Sequence, residues 1–297
     1  MSSPGSYISE LTSLLGPSCV SVEEPVLAVH STDKWFASAR PDVVVFAESS
    51  EQVSALFKFA SERRIPVTPR GAGVGYVGGC VPLQAGIALS LAKMNRILEI
   101  NEADGVAVVQ PGVITGDLQK AVKERGWFYP PDPASLKECS LGGNISTNAG
   151  GPRCLKYGVT RPYVLGLEAV IPDGTILRAG GRCHKNKTGF DLVGLFTGSE
   201  GLLGVVTEAT LRLIPHPPLR AMLSVALPPL QKRPPRCSGS WAADICRPPW
   251  RSPTASRSGP PVTMWVNPCQ RGRPTCWWRW MARKTRCRWS CRPSRAC

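Results

Sequence analysis

Apolar residues recur at helical spacing near the start of the chain, where Ile8, Leu11, Leu14 and Leu15 share a face and Gly16-Pro17 stops it. This predicts a helical lead-in over residues 1–38 that serves packing and carries no chemistry. The pattern then tightens. Residues 42–47 read Asp-Val-Val-Val-Phe-Ala, a short continuous apolar run expected of a buried strand. Ser49 or Ser50 is placed to cap a following helix over residues 51–63, with Val53, Leu56, Phe57 and Ala60 as its inward stripe. A second strand at 65–69 completes a β-α-β unit.

Further along, strands are predicted at 87–91, 97–100 and 106–110, the last two joined by a turn at Asp104-Gly105. A helix is expected at 116–125, stopped by Gly126, before Tyr129-Pro130-Pro131-Asp132-Pro133 forces extended and turned backbone. Residues 164–171 and 175–177 form a hairpin around Pro172-Asp173-Gly174. A short helix at 191–196 and a strand at 204–213 close the folded region. Strands outnumber helices and the order is mixed, which predicts an α+β fold and not a doubly wound one.

Composition changes the picture beyond residue 230. The 297-residue chain carries a net charge of +15, a value that suggests a nucleic-acid binder, yet nearly all of it is in the tail. Residues 231–297 hold 15 of the 36 Lys and Arg with Asp244 as their one acid, whereas residues 1–230 are close to neutral. Seven of the 12 Cys and seven of the nine Trp also lie in the tail. The earlier cysteines, Cys19, Cys80, Cys139, Cys154 and Cys183, are odd in number and form no CxxC pair, which suits a reduced, cytoplasmic setting. No signal peptide or membrane span is expected, because no apolar run reaches the length of one.

The chemistry of the neutral part centres on residues 69–80, Pro69-Arg70-Gly71-Ala72-Gly73-Val74-Gly75-Tyr76-Val77-Gly78-Gly79-Cys80. Five glycines in nine positions follow a strand, with one Arg and no carboxylate. Glycine allows positive φ and close backbone approach, so such a bend can converge N–H groups on an anion. Gly73-x-Gly75-x-x-Gly78 also matches a dinucleotide fingerprint that needs a helix to start inside the bend, but Gly79, Pro82 and Gly86 oppose one. The bend is therefore read as a pyrophosphate cradle, with Arg70 neutralising phosphate charge. Two further small-residue loops follow: Ser140 to Gly151, including Gly142, Gly143, Asn144, Thr147, Asn148, Ala149 and Gly150, and Gly198 to Gly204, including Glu200 and Gly201. Three such loops suggest one long ligand threaded through backbone. Ser140, Asn144, Thr147 and Asn148 offer hydroxyls and amides for ribose, phosphate or a polar ring edge. Arg153 and Lys156 are candidates for a substrate carboxylate, each with a solvated charge as the alternative.

With these residues in view the chain resembles the flavoprotein subunit of glycolate oxidase and its D-lactate dehydrogenase relatives, within the vanillyl-alcohol oxidase / p-cresol methylhydroxylase type of FAD-binding domain. The resemblance spans about residues 39–215. It is carried by Pro-Arg-Gly-Ala-Gly at 69–73, Met94-Asn95-Arg96-Ile97, Gln110-Pro111-Gly112-Val113, Pro131-Asp132-Pro133, Gly142-Gly143-Asn144, Leu155-Lys156-Tyr157-Gly158 and Gly198-Ser199-Glu200-Gly201. It implies a two-subdomain FAD-binding domain at 39–217, with the flavin between the subdomains and the pyrophosphate on the 69–79 bend. The isoalloxazine would lie near residues 132–150, which adds Asp132 and Ser135 to the binding set. The adenine end would lie by Glu200, Gly201, Gly204, Val205 and Val206. Oxidation of a small 2-hydroxy acid, with hydride passing to flavin N5 while a protein base takes the hydroxyl proton, is the implied activity. Relatives often work beside further redox subunits.

The chain departs from that family in places. Val74-Gly75-Tyr76-Val77 stands where Thr-Gly-Leu-Ser is common, and Leu202 replaces a Thr. No His lies between His30 and His184, which favours non-covalent FAD. Relatives supply a His-rich metal cluster from a following substrate domain, whereas here His216 is the last histidine. Cys287 and Cys291 lack companions at metal-ligand spacing, so no metal and no general base is assigned. Residues 218–230 read as the start of such a domain, and the resemblance stops there. Residues 231–297 have the composition of GC-rich DNA read out of frame. If Arg279 is encoded AGG, Trp277-Trp278-Arg279-Trp280-Met281 shifted by two bases reads Val-Glu-Val-Asp, a strand-like segment. The tail is expected to be irregular, the product of a frameshift and disordered. Two other readings remain open: a flavin-binding module without turnover, and a nucleic-acid binder acting through the basic tail.

Overall fold

The computed structural model describes residues 4–219, together with the strands Ala221–Val225 and Val262–Val266. Residues 226–230 and most of the tail lie outside the described residues, and with them the expectations placed there. The chain divides into two units, one from the start to Pro218 and one beginning at Leu219. In the second unit the two strands just named pair antiparallel, Ala221 opposite Val266 and Val225 opposite Val262, so a strand forms where the sequence pattern predicted none.

The first unit begins with α1 (Pro4–Leu15), β1 (Val20–Ser21) and α2 (Glu24–His30). The lead-in therefore contains a second helix and a strand that the apolar pattern did not reveal. After β2 (Val43–Phe46), Ser49 caps α3 (Ser50–Arg63) by accepting the Gln52 N–H. The helix ends at Arg64, whose φ of 54° lies in the left-handed region. Then come β3 (Val67–Arg70) and β4 (Ile87–Ser90), and the four strands assemble in the order β1-β2-β4-β3. The last three are parallel, and β4 slips between the two strands of the predicted β-α-β unit. Val53, Leu56, Phe57 and Ala60 turn inward as the periodicity demands and pack with Tyr7, Leu11, Ile87 and Leu89.

The remaining chain forms β5 (Ile97–Asn101), β6 (Val106–Val109), α4 (Thr115–Glu124), β7 (Trp127–Phe128), α5 (Leu141–Ser146), α6 (Cys154–Tyr157), β8 (Val164–Val170), β9 (Ile176–Gly180), α7 (Leu192–Phe196), β10 (Val205–Arg212) and β11 (Ile214–Pro215). An antiparallel sheet in the order β5-β6-β10-β8-β9 carries a second core. Leu118 and Val122 of α4 and Leu141 and Ile145 of α5 meet Val109, Ala209 and Leu211 there. A mostly parallel sheet and an antiparallel one in a single unit make the mixed α+β arrangement expected.

The stretch 140–151 corrects the sequence reading. Its small residues predicted a loop, but Ser140 caps a helix and Gly142 and Gly143 sit inside it. Gly142 is there because of packing. A Cβ at residue 142 would lie about 3.1 Å from the Pro111 backbone and closer still to its side chain. Tertiary contact outweighs the poor helix propensity of glycine at this site.

Candidate functional site

β3 ends at Arg70 and releases the glycine bend, and no helix follows it, in keeping with Pro82 and Gly86. Gly73 and Gly78 have φ of 68° and 75°, conformations a side chain disfavours. The backbone N–H groups of Gly71, Gly73, Val74 and Gly75 find no hydrogen-bond acceptor among the described residues. All four residues line one cavity that is open to solvent. A set of unpaired donors on a concave wall is what an oxyanion needs.

The three glycine-bearing stretches meet at this cavity. From the bend come Pro69, Arg70, Gly71, Ala72, Gly73, Val74, Gly75 and Gly79; from the second stretch Ser140, Gly142, Gly143, Asn144, Thr147 and Ala149, with Ser135 ahead of it; from the third Glu200, Gly201 and Gly204, followed by Val205 and Val206. Sequence reasoning left out Asp33, Val77, Cys80, Leu91, Pro111, Pro133, Cys139 and Ser146, which also line it. Only Cys80, Cys139 and Asp33 among these carried a chemical signal, and nothing in the sequence placed them together.

Four expected residues are not on the wall. Gly78 donates its N–H to Asp33 Oδ2 at 2.8 Å and so turns away. Asn148, with φ of 47°, accepts the Arg161 N–H at 2.9 Å and shapes a turn. Gly150 packs against Cys154 and Val159, where a Cβ would lie 3.2 Å from the Cys154 sulfur. Asp132 pairs with Arg153 at 2.8 Å. Lys156 sits over the Tyr157 ring, 4.8 Å from its centroid, and is not part of the wall either.

Arg70 is buried, and its Nη1 donates to Thr32 O at 2.6 Å and to Cys80 Sγ at 3.4 Å. No carboxylate among the described residues forms an ion pair with it. The guanidinium lies directly beneath Gly73, where any Cβ would overlap it. Its charge thus acts from under the bend, as well as on the cavity wall. Burial pushes the His30 imidazole below its ordinary value, the Val26 carbonyl opposes this, and the Arg70 charge adds to the depression. Burial likewise pushes the Cys80 thiol up, with Arg70 pulling the other way.

The second wall is held by a buried chain of polar groups. Thr115 Oγ1 donates to Cys139 O at 3.2 Å and accepts Asn144 Nδ2 at 2.6 Å. Asn144 is thereby fixed in rotamer at the cavity edge. Glu200 sits with φ of 54° and donates its N–H to Ser146 O at 2.8 Å, joining the third stretch to the end of α5. Among the described residues no cluster of His, Cys, Asp or Glu could hold a metal ion.

Comparison with known proteins identifies the segment that carries most of this cavity's wall. Residues 41–180 match the FAD binding domain family. This segment is an FAD-binding domain. The chain is 49% identical over 183 residues to glycolate oxidase subunit GlcD of Bacillus subtilis, covering 62% of this chain and 39% of that protein. It is 44% identical over 199 residues to D-lactate dehydrogenase of Anaerostipes hadrus, covering 67% of this chain and 41% of that one. The chain thus spans about two-fifths of the length of these relatives. Among solved structures, 4-ethylphenol oxidase from Gulosibacter chungangensis aligns with a TM-score of 0.63 at 26% identity, over 73% of this chain and 44% of that one. The FAD-binding domain therefore has the fold of the vanillyl-alcohol oxidase type that its motifs resembled.

Proposed function

We propose that the cavity binds FAD, with its pyrophosphate on the Gly71, Gly73, Val74 and Gly75 amides, and that the whole protein oxidises a small 2-hydroxy acid such as glycolate or D-lactate. The observation that carries this reading is the set of four amides without acceptors, facing the same space as α5 and the start of β10. Bound there, FAD would supply the two-electron acceptor for oxidation at the hydroxyl-bearing carbon. The protein's part is position and field. Arg70 offsets phosphate charge from below the bend, Asn144 and Thr147 offer polar groups on the second wall, and Glu200 with Gly201 and Gly204 shapes the third.

The flavin is held non-covalently in this reading. His30, His184 and His216 are not on the wall, Cys80 is engaged by Arg70, and Cys139 is buried against Thr115. Partner redox subunits are proposed because one relative is itself an oxidase subunit. A cytoplasmic setting is proposed from cysteine usage, and no described helix is long and apolar enough to cross a membrane. The division carried forward is an FAD-binding domain at 39–217, the start of a substrate domain at 218–230 and an out-of-frame tail from 231, which resequencing around codon 230 tests. Neither a base nor a metal is assigned.

The experiment is direct. Purified chain is loaded with FAD, freed of excess cofactor, and mixed with glycolate or D-lactate and an artificial electron acceptor. Yellow protein whose flavin band bleaches supports the oxidoreductase, and release of the flavin by acid supports non-covalent binding. Yellow protein that never bleaches restricts this chain to flavin binding, and colourless protein rejects the reading altogether.

A further inference from the structure

The segment between α2 and β2 was expected to pack and nothing more, yet it touches the glycine bend at its beginning, middle and end. Arg70 Nη1 donates to Thr32 O at 2.6 Å at the start of the bend. Lys34 N donates to Gly75 O at 3.0 Å in its middle. Gly78 N donates to Asp33 Oδ2 at 2.8 Å at its far end. The other carboxylate oxygen of Asp33 accepts the Trp35 N–H at 2.7 Å. The segment is itself closed into a loop by the bridge between Thr32 and Ser38 and by the bond from Ala39 N to Ser31 O. Lys34 then pairs with Glu138, beside the second wall.

A carboxylate on the wall of an anion site needs an explanation, because it repels what the site would bind. Here both oxygens of Asp33 accept backbone N–H groups, so its charge is spent on donors of the protein. The result is a division of the bend. The Gly78 amide is drawn back to Asp33, while Gly71, Gly73, Val74 and Gly75 line the cavity with amides that have no acceptor of their own among the described residues.

We propose that Asp33 is a positioning residue for the pyrophosphate of the bound dinucleotide, holding the bend in the shape that presents the Gly71, Gly73, Val74 and Gly75 amides. It makes no contact with the reacting atoms. The proposal rests on the FAD reading above for the identity of the ligand, but its chemistry concerns any molecule with a pyrophosphate.

Full-length chain, wild type, Asp33→Ala and Asp33→Asn, is titrated with FAD, with ADP and with riboflavin, which lacks the pyrophosphate. The thermal midpoint of each apoprotein is recorded alongside. The expected result is a loss of affinity for FAD and ADP of roughly tenfold to a hundredfold in Asp33→Ala, the span of one charge-assisted hydrogen bond. Riboflavin affinity and the apoprotein midpoint stay at the wild-type level. Asp33→Asn, which keeps one acceptor oxygen, falls between. Wild-type affinity for ADP in Asp33→Ala overturns the proposal, and so does an equal loss for all three ligands with a lowered midpoint. Should Asp33→Ala fail to fold, Asp33→Asn decides alone by its ADP affinity. Wild-type chain that binds ADP but not FAD, with the ADP loss in the variants intact, rejects the flavin reading and keeps the role of Asp33. Wild-type chain that binds neither overturns both.

Discussion

Ser140 Oγ accepts the Ala72 N–H at 3.3 Å, which ties the glycine bend to the N-terminus of α5. The same oxygen caps the helix by accepting the Gly143 N–H at 3.4 Å. Approach of the two backbones is possible because residue 71 has no side chain, since a Cβ there would run into the Ser140 hydroxyl. Gly71→Ala is therefore expected to push the bend off α5, lowering stability by about 1–3 kcal/mol as overpacking does and weakening FAD uptake. Urea unfolding and flavin fluorescence titration check this, and wild-type values in both would show that the two walls do not depend on that contact.

Ser140→Ala separates the cap from the crowding. Loss of the N-cap is expected to cost about 0.5–2 kcal/mol, with the bend free to relax. The double variant with Gly71→Ala should be less than additive, because one oxygen carries both interactions. Unfolding free energies of the four proteins measure it.

Asn144 offers a test of the second wall. The Thr115 hydroxyl donates to Cys139 O, so it has only acceptor capacity left for residue 144, and the amide NH2 supplies the matching donor. Asn144→Asp, ionised at neutral pH, cannot donate, and two oxygens would then face each other in a buried place. A destabilisation of roughly 1–3 kcal/mol is expected at pH 7, with Asn144→Ser milder. Equal unfolding midpoints for wild type and Asn144→Asp would contradict the assigned bonding.

Glu168 of β8 ties α3 to the antiparallel sheet and sets an acid limit on stability. Burial pushes its pKa up, but hydrogen bonds from Ser50, Arg178 and Thr207 and the Arg178 charge outweigh that, and the net shift is downward from 4.5. A carboxylate whose pKa falls on folding stabilises the protein above its unfolded pKa, and that contribution is lost as pH falls through the folded value. Glu168→Gln should lower stability at pH 7 and flatten its decline in acid. Glu208 shifts the other way, raised by burial and by the Glu168 charge, so the variant also relieves Glu208. Unfolding midpoints across the acid range test this, and parallel curves for the two proteins would contradict it.

Leu56 is fully buried in the first core, on the stripe the sequence predicted. Leu56→Ala should cost about 2–5 kcal/mol through lost transfer and a residual cavity. A loss below about 1 kcal/mol, read from denaturant unfolding, would mean that the α3 stripe is not the packed face.

Much of the fold was legible because its strands and helices follow strong local rules. The apolar period of α3, its Ser49 cap and the Pro and Gly punctuation after the bend each act within a few residues. What escaped was set by distant partners. The helix α5 contains two glycines and was read as a loop, and only its seat against Pro111 explains it. The strand β1 is two residues long and exists by pairing with β2. The site divides in the same way. Backbone amides on glycine-rich bends could be read from spacing, whereas Gly78, Asp132, Asn148 and Gly150 were expected on a wall from which their neighbours remove them.

The sequence by itself determined that three stretches of small residues interrupt a neutral α+β region, that the first can bare its amides, and that no helix takes them up. These properties follow from single residues, from the absence of a Cβ and from the fixed φ of proline. Only the tertiary structure decided that the three stretches share one cavity, that the second of them is a helix, and that a buried Arg70 charges the cavity from below. It alone brought Asp33, from a stretch with no signal of its own, to the end of the first bend. Such relations join positions tens of residues apart, and the pattern along a chain carries no information on which carboxylate a given amide will meet.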